Sequence, residues 1–521
     1  IVRGDWSSDV CSSDLMEQGP DLYENQELGV SPGEIDFILL THAHIDHSGN
    51  IPLLCKQGFQ GDIVTTFATA DLCSIMLRDS AHIQVSEAQW RNRKAKRSGG
   101  ALYEPVYDMQ DADAAISLLA PCDYGQRITL CEGIEVRFND IGHLLGSASI
   151  EVWINEDGIS RKIVFSGDVG NTDQPILKDP GLVKEADYVV IESTYGDRTH
   201  GDERPDYVRE FTRILRETFE RGGNVVIPSF AVGRTQEILY FIREIKEKNL
   251  LPEYPGFEVY VDSPLAIEAT NVFNKNVKSC FDEEALALIE QGINPLVFPG
   301  LKTTITSEES KMINFDEKPK VILSASGMCE AGRIRHHLKH NLWRPECTIC
   351  FVGYQAAGTL GRKLIEGAQS VKLFGDSITV NAKIEVLQGI SGHADMNGLL
   401  AWLKGFQTEL LRVIVVHGED TVTDSFARLV EEKIGCPAFA PYSGGCVDLA
   451  ENKILSEGVR APKKAAEKPA RSRAQAAFDR VVAAAKRLLE VVYKNEGLAN
   501  KELAKFESQI QNLADKWDRE D

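Results

Sequence analysis

The stretch THAHIDHSGN, Thr41 to Asn50, decides how the rest of the chain is read. It places His42, His44, Asp46 and His47 within a few residues of one another. Histidine supplies only 11 of 521 residues. This set at fixed offsets arises by chance on the order of once in a few thousand such chains. Neutral imidazole and carboxylate oxygen are ligands that zinc takes. His42 and His44 alternate, so an extended backbone projects both to one side. Asp46 and His47 follow directly and can serve a neighbouring metal. The apolar run IDFILLT (35–41) reads as a short strand that ends on the cluster.

Working outward, the same design repeats. RKIVFSGD (161–168), DYVVIES (187–193) and LRVIVVH (411–417) are apolar runs closing on polar, reactive residues. Strand ends are where α/β and layered folds place their sites. From about 200 to 380, the runs GNVVIPS (223–229), FEVYVD (257–262), KVILSA (320–325) and CTICFVG (347–353) alternate with helical stretches. That βαβ pattern predicts a parallel sheet with helices on its faces, inserted into the first domain. Past 455 the chain turns Ala/Lys/Arg-rich, with a linker at 461–470 and helical spacing over 473–494.

Composition is ordinary for a globular chain of two or three domains, 43% hydrophobic and 26% charged. No apolar run reaches the roughly 18 residues of a membrane span. A chain this long does not need disulfide staples for its 11 scattered cysteines. The expectation is a soluble, cytoplasmic protein with reduced thiols and no membrane partner. Cys347 and Cys350 form a lone C-x-x-C with no second pair to complete a zinc site. A net charge of −21 argues against a generic nucleic-acid coat. It does not argue against a nuclease, because metal-binding carboxylates add to the acidic count. Local basic clusters stand at Arg91, Arg93, Lys94, Lys96 and Arg97, and at Lys463, Lys464, Lys468, Arg471 and Arg473. Each reads equally as a solvated face or as a polyanion contact.

The H-x-H-x-D-H signature resembles the metallo-β-lactamase superfamily, and further motifs follow in that family's order. GHLLGSAS supplies His143 and FSGDVGN supplies Asp168. The resemblance implies that His42, His44 and His143 bind one zinc, that Asp46 and His47 bind a second, and that Asp168 bridges the two. IESTYGD (Glu192), ISGHAD (His393) and VVHGED (His417) look like the additional motifs of the β-CASP group, the nucleic-acid-processing branch. That group includes bacterial and archaeal ribonucleases and the endonuclease subunit of the mRNA cleavage and polyadenylation machinery. By this resemblance His417 completes the second zinc, and Glu192 holds His393 as the proton donor to the leaving group. Asp46, Glu192 and His393 are then the catalytic residues. His82, His200, His336, His337 and His340 fall off the motifs and read as structural or surface groups.

The implied fold is an α/β metallo-β-lactamase αββα sandwich with an inserted β-CASP domain and a C-terminal helical extension. The expected boundaries are 16–198 for the first part of the sandwich, 199–384 for the insert, 385–455 for the second part and 456–521 for the linker and extension. Residues 1–15, IVRGDWSSDVCSSDL, lack strand or helix periodicity and read as translated sequencing adapter. The native chain is expected to resume near Met16, with early strands of the sandwich lost. The family's first motif, an aspartate, has no match there, since Asp14 is at the wrong offset.

Within the insert, PSFAVGR (228–234), SASGM (324–328) and GYQAAGTLGRK (353–363) place small and hydroxyl residues at strand-to-helix turns. A helix N-terminus is an anion site, so Ser229, Arg234, Ser324, Ser326 and Arg362 are candidates for holding the RNA backbone. Ordinary βα turn chemistry uses the same residues. The implied activity is a phosphodiesterase that cleaves single-stranded RNA, endo- or 5′-exonucleolytically, with two zinc ions sharing a bridging hydroxide. The alternatives are a thioester or lactone hydrolase of the same superfamily and an inactive RNA-binding scaffold. The C-terminal helical stretch can serve a homodimer or simply pack.

Overall fold

A computed structural model describes residues 31–98, 102–201, 205–387, 391–459, 485, 488–489, 491–495 and 500–517. The adapter-like segment, Asp14, the 461–470 linker, the basic group from Lys463 to Arg473 and most of the 473–494 stretch lie outside them.

Two sheets form the sandwich. The runs Phe37–Leu39, Asp62–Thr66 and Leu119–Cys122 make a parallel three-stranded sheet. A mixed seven-stranded sheet faces it. Val64 and Cys122 of the first sheet share one buried cluster with Val136, Phe138, Ile150 and Val152 of the second. The other face of the larger sheet is covered by helices Met396–Leu403 and Asp420–Ile434, through Leu399, Trp402, Phe426 and Val430 against Val164, Val189 and Val413. Helix on sheet on sheet on helix is how a layered α/β domain buries one apolar face per element.

Strand order in the large sheet fixes the site. Arg412–Val415, Tyr188–Ile191 and Ile159–Phe165 are adjacent and parallel. Their carboxyl ends therefore lie along one edge. Ala148–Glu156 pairs antiparallel to Ile159–Phe165, so its amino end, and the loop before it, reaches the same edge. Tyr188–Ile191 is buried throughout, as a central parallel strand covered on both faces must be.

The insert is a six-stranded, fully parallel sheet. The four expected runs appear as Val225–Pro228, Glu258–Val261, Lys320–Ser324 and Thr348–Phe351. Two short edge strands, Leu301–Thr303 and Lys383–Val386, complete it. The lone C-x-x-C lies buried in this core, and burial pushes both thiols up, so neither is poised to react.

A second unit comprises 83–106 and 463–521. It holds the end of the long helix Phe67–Ser98 and the helix Asn500–Trp517. Arg91 of the basic cluster pairs with Glu87 one turn back and lies 4.6 Å over the Tyr103 ring. Among the described residues no helix is long and apolar enough to cross a membrane.

Candidate metal centre

Each motif residue arrives from a strand end or a turn at the shared edge. His42 and His44 leave the strand Phe37–Leu39, while Asp46 and His47 open the short helix Ile45–Ser48. Asp168, Glu192 and His417 follow the three adjacent parallel strands, and His143 lies in the loop before Ala148–Glu156. The loops approach closely. A Cβ on Gly170 would stand 2.2 Å from the Gly142 carbonyl, so only glycine lets the Asp168 loop lie against the His143 loop. His417 adopts φ 51°, the left-handed region that non-glycine residues enter at a cost. Its carbonyl is held by the Ser193 amide at 3.0 Å.

The structure brings all these side chains into one cluster. Ligand-type atoms of His42, His44, His143 and Asp168 lie within 4.8 Å of one another, as do those of Asp46, His47 and His417. His42 Nε2 and His143 Nε2 each stand 3.1 Å from His44 Nδ1, and each 3.4 Å from Asp168 Oδ2. His417 lies 3.6 Å from Asp46 and 3.5 Å from Asp168. Asp168 touches both groups.

These residues fit metal ions on three grounds. The separations match the ~3.3 Å edge of a tetrahedron with bonds of about 2.0–2.1 Å. His47 Nε2 and Asp168 Oδ1 are buried with no hydrogen-bond partner among the described residues, a costly arrangement without a cation. Ring nitrogens of His143, His42 and His417 are also already engaged from outside the cluster. His143 Nδ1 meets the Gly392 carbonyl at 3.1 Å, which can only accept, so Nε2 presents its lone pair inward. Thr41 and Thr194 hydroxyls stand 3.1 Å from Nδ1 of His42 and His417. Burial and the neighbouring His47 keep His42 neutral, its pKa down at about 3, in the ligand form. For His417 burial opposes charge, yet the Asp168 and Asp46 carboxylates outweigh it and raise the pKa to about 10, a pull on positive charge that a bound cation would satisfy in place of the proton.

Beside the cluster, His393 Nδ1 meets Glu192 at 3.2 Å, and its Nε2 stands 4.0 Å from Asp168. Glu192 is 1% exposed and accepts from the Val169 amide at 2.6 Å and the Thr194 amide at 3.2 Å. Burial opposes charge on His393, but Glu192 and Asp168 hold its pKa above the ordinary value.

Three family models match along the chain: the metallo-beta-lactamase superfamily over 14–229, the Beta-Casp domain over 235–364 and the Zn-dependent metallo-hydrolase RNA specificity domain over 377–441. A ribonuclease of Thermus thermophilus is 38% identical over 80% of this chain and 89% of its own length. The chain belongs to the β-CASP family of metallo-β-lactamase hydrolases. An RNase J-like protein of Methanocaldococcus jannaschii is 32% identical over 79% of the chain and 88% of its own length. A transcription termination factor of Methanosarcina mazei is 30% identical over 77% of the chain, which spans 61% of that larger protein.

The insert candidates of this β-CASP hydrolase divide. Ser229 and Ser324 are buried, and their hydroxyls are engaged with Thr235 at 2.7 Å and the Asp262 carbonyl at 2.8 Å. Arg234 pairs with Glu237 at the start of its helix. Ser326 lies partly open on its turn, as does Arg362, which pairs with Glu366 at 2.6 Å.

Sequence reasoning passed over one supporting residue. The His200 ring Nε2 meets the His393 carbonyl at 3.0 Å, and the His200 amide donates to Asp395 at 3.0 Å. The only signal was its place downstream of the Glu192 motif.

Proposed function

We propose that this chain is a metal-dependent phosphodiesterase that cleaves single-stranded RNA. The observation that carries the reading is the cluster itself: ligand-type side chains from four separate chain segments converge beside the Glu192–His393 pair. The relatives named as ribonuclease and the RNA specificity model support RNA as substrate. His42, His44 and His143 would hold one zinc ion, Asp46, His47 and His417 a second, and Asp168 both. When bound, zinc supplies Lewis acidity to a phosphoryl oxygen and lowers the pKa of water.

The chain's own residues do the rest. Glu192, fixed by two backbone amides, orients the His393 ring through Nδ1. That leaves Nε2 facing the cluster, placed to give its proton to the departing 3′ oxygen. General-acid help of this kind is worth roughly 10²–10⁴-fold. Of the insert candidates, the partly open Ser326 and Arg362 are left to meet the RNA backbone, since Ser229 and Ser324 are buried. A cytoplasmic setting agrees with the free state of every described cysteine. Pairing of two chains through the C-terminal helix is the matching proposal for assembly, readable by light scattering.

The deciding experiment is cleavage of end-labelled single-stranded RNA, with and without chelator, beside Asp168→Ala. Metal-dependent cleavage lost in the variant supports the reading, and the product ladder separates endo from exo action. Hydrolysis of thioesters or lactones with no RNA cleavage by zinc-loaded protein overturns it.

A further inference from the structure

Two large aromatic rings stand in the open at the carboxyl edge of the insert sheet. Phe230 is 38% exposed and Tyr354 is 57% exposed. They follow neighbouring strands, Val225–Pro228 and Thr348–Phe351, which pair directly in the sheet. The turn after Lys320–Ser324, the strand on the other side of Val225–Pro228, reaches both loops. Two ring carbons of Phe230 come 3.1 Å from where a Cβ on Gly327 would stand, so the ring lies against bare backbone. Gln355, next to Tyr354, donates from its side chain to the Gly327 carbonyl at 3.0 Å. The two aromatic loops are thus tied to one glycine turn, with Ser326 beside it. Neither ring stacks on another ring among the described residues. Arg362 lies close enough to Tyr354 to interact electrostatically.

The position faces the chemistry. In the loop that carries Phe230, a Cβ on Gly233 would stand 3.2 Å from Leu144, the residue after the metal-cluster His143. Parallel α/β sheets bind ligands outside the carboxyl ends of their strands. Exposed aromatic faces beside a cationic side chain are the means by which proteins hold unpaired bases without reading sequence. A strongly acidic chain, net −21, has reason to use stacking, since overall charge repels polyanions.

We propose that Phe230 and Tyr354, whose loops both contact the Gly327 turn, form a base-stacking platform that seats unpaired nucleobases of the strand entering the metal centre. This rests on the ribonuclease reading above. Stacking is sequence-tolerant because every base offers a π face.

The test is steady-state cleavage of an unstructured, end-labelled RNA by zinc-loaded protein. Phe230→Ala and Tyr354→Ala should each raise KM about fivefold or more, as one stacked base is worth roughly 1–3 kcal/mol. Tyr354→Phe should keep the parent KM, since the ring and not the hydroxyl acts. Zinc content and thermal midpoint of each variant confirm folding. An RNA with a single abasic site moved along its length should bind the parent worse at particular positions, and the alanine variants should lose that positional dependence. An unchanged KM in both alanine variants, or undiminished abasic sensitivity, overturns the platform while leaving the ribonuclease reading intact. Failure of the parent itself to cleave RNA overturns both.

Discussion

Two buried clusters in this protein combine histidine with aspartate, and they are built oppositely. Around Asp168 the partners are imidazole nitrogens and the Glu192 carboxylate, and among the described residues one Asp168 oxygen and His47 Nε2 have no hydrogen-bond partner. Around Asp262, in the insert, donors surround the carboxylate: His337 at 2.6 Å, Thr304 at 2.6 Å, Ser310 at 2.5 Å and Arg333 at 2.7 Å. The outer His337 nitrogen meets Asn314 at 3.1 Å. A carboxylate ringed by donors is complete in itself. One ringed by lone pairs is complete only with a cation. The same residue types are thus self-sufficient in one place and short of a cation in the other, and the count of donors tells them apart.

The largest effect that would test this contrast is loss of the bridging carboxylate. Asp168→Ala should lower RNA cleavage by ~10³-fold or more, as a group neutralising transition-state charge is removed along with metal. Zinc content by mass spectrometry should fall with it, and retained zinc with retained cleavage would break the assignment. His393→Gln should slow cleavage by roughly 10²–10⁴-fold while zinc content stays at the parent level. If zinc is lost too, His393 is a ligand and not a proton donor. Asp262→Ala should cost about 3–5 kcal/mol in urea unfolding, because it strands a buried partner set. The folded fraction should still bind zinc.

Smaller effects sharpen the comparison. Excess zinc should raise the thermal midpoint of the parent and of Asp262→Asn, by about 2.7 kcal/mol of stabilisation at a hundredfold excess over Kd. Asp168→Ala should lose most of that rise, and an equal rise in all three would mean the metal binds elsewhere. The Asp262 carboxyl also predicts a pH dependence. Burial alone would raise its pKa, but hydrogen bonds from His337, Ser310 and Thr304 hold it well below the ordinary carboxylate range. A carboxyl depressed in the folded state stabilises above its unfolded pKa of about 3.9 and loses that contribution as pH falls towards the folded value. Urea midpoints measured from pH 6 down to 3 should therefore fall more steeply below pH ~4 for the parent than for Asp262→Asn.

Much of the site was legible because its densest part is local. His42, His44, Asp46 and His47 sit so close in sequence that backbone geometry alone makes them neighbours. His143, Asp168, Glu192, His393 and His417 are single residues in ordinary-looking motifs, and only their order and family likeness marked them. The main insert strands were readable from their apolar runs. Leu301–Thr303 and Lys383–Val386 were not, being three or four residues long at the sheet edges with little burial to pattern them. His337 was read as structural or surface, and its bond to Asp262 joins residues 75 apart.

The sequence by itself determined which residue types meet at the site, the βαβ insert and the rule that reactive groups follow strands. Those are local properties, set by residue type, spacing and backbone period. Only the tertiary structure decided that three parallel strands stand side by side so that Asp168, Glu192 and His417 share one edge. It alone turned the imidazoles of His42, His417 and His143 through Thr41, Thr194 and the Gly392 carbonyl, and brought the Phe230 and Tyr354 loops to the Gly327 turn. Orientation and convergence depend on contacts between segments far apart in the chain, and no local pattern encodes them.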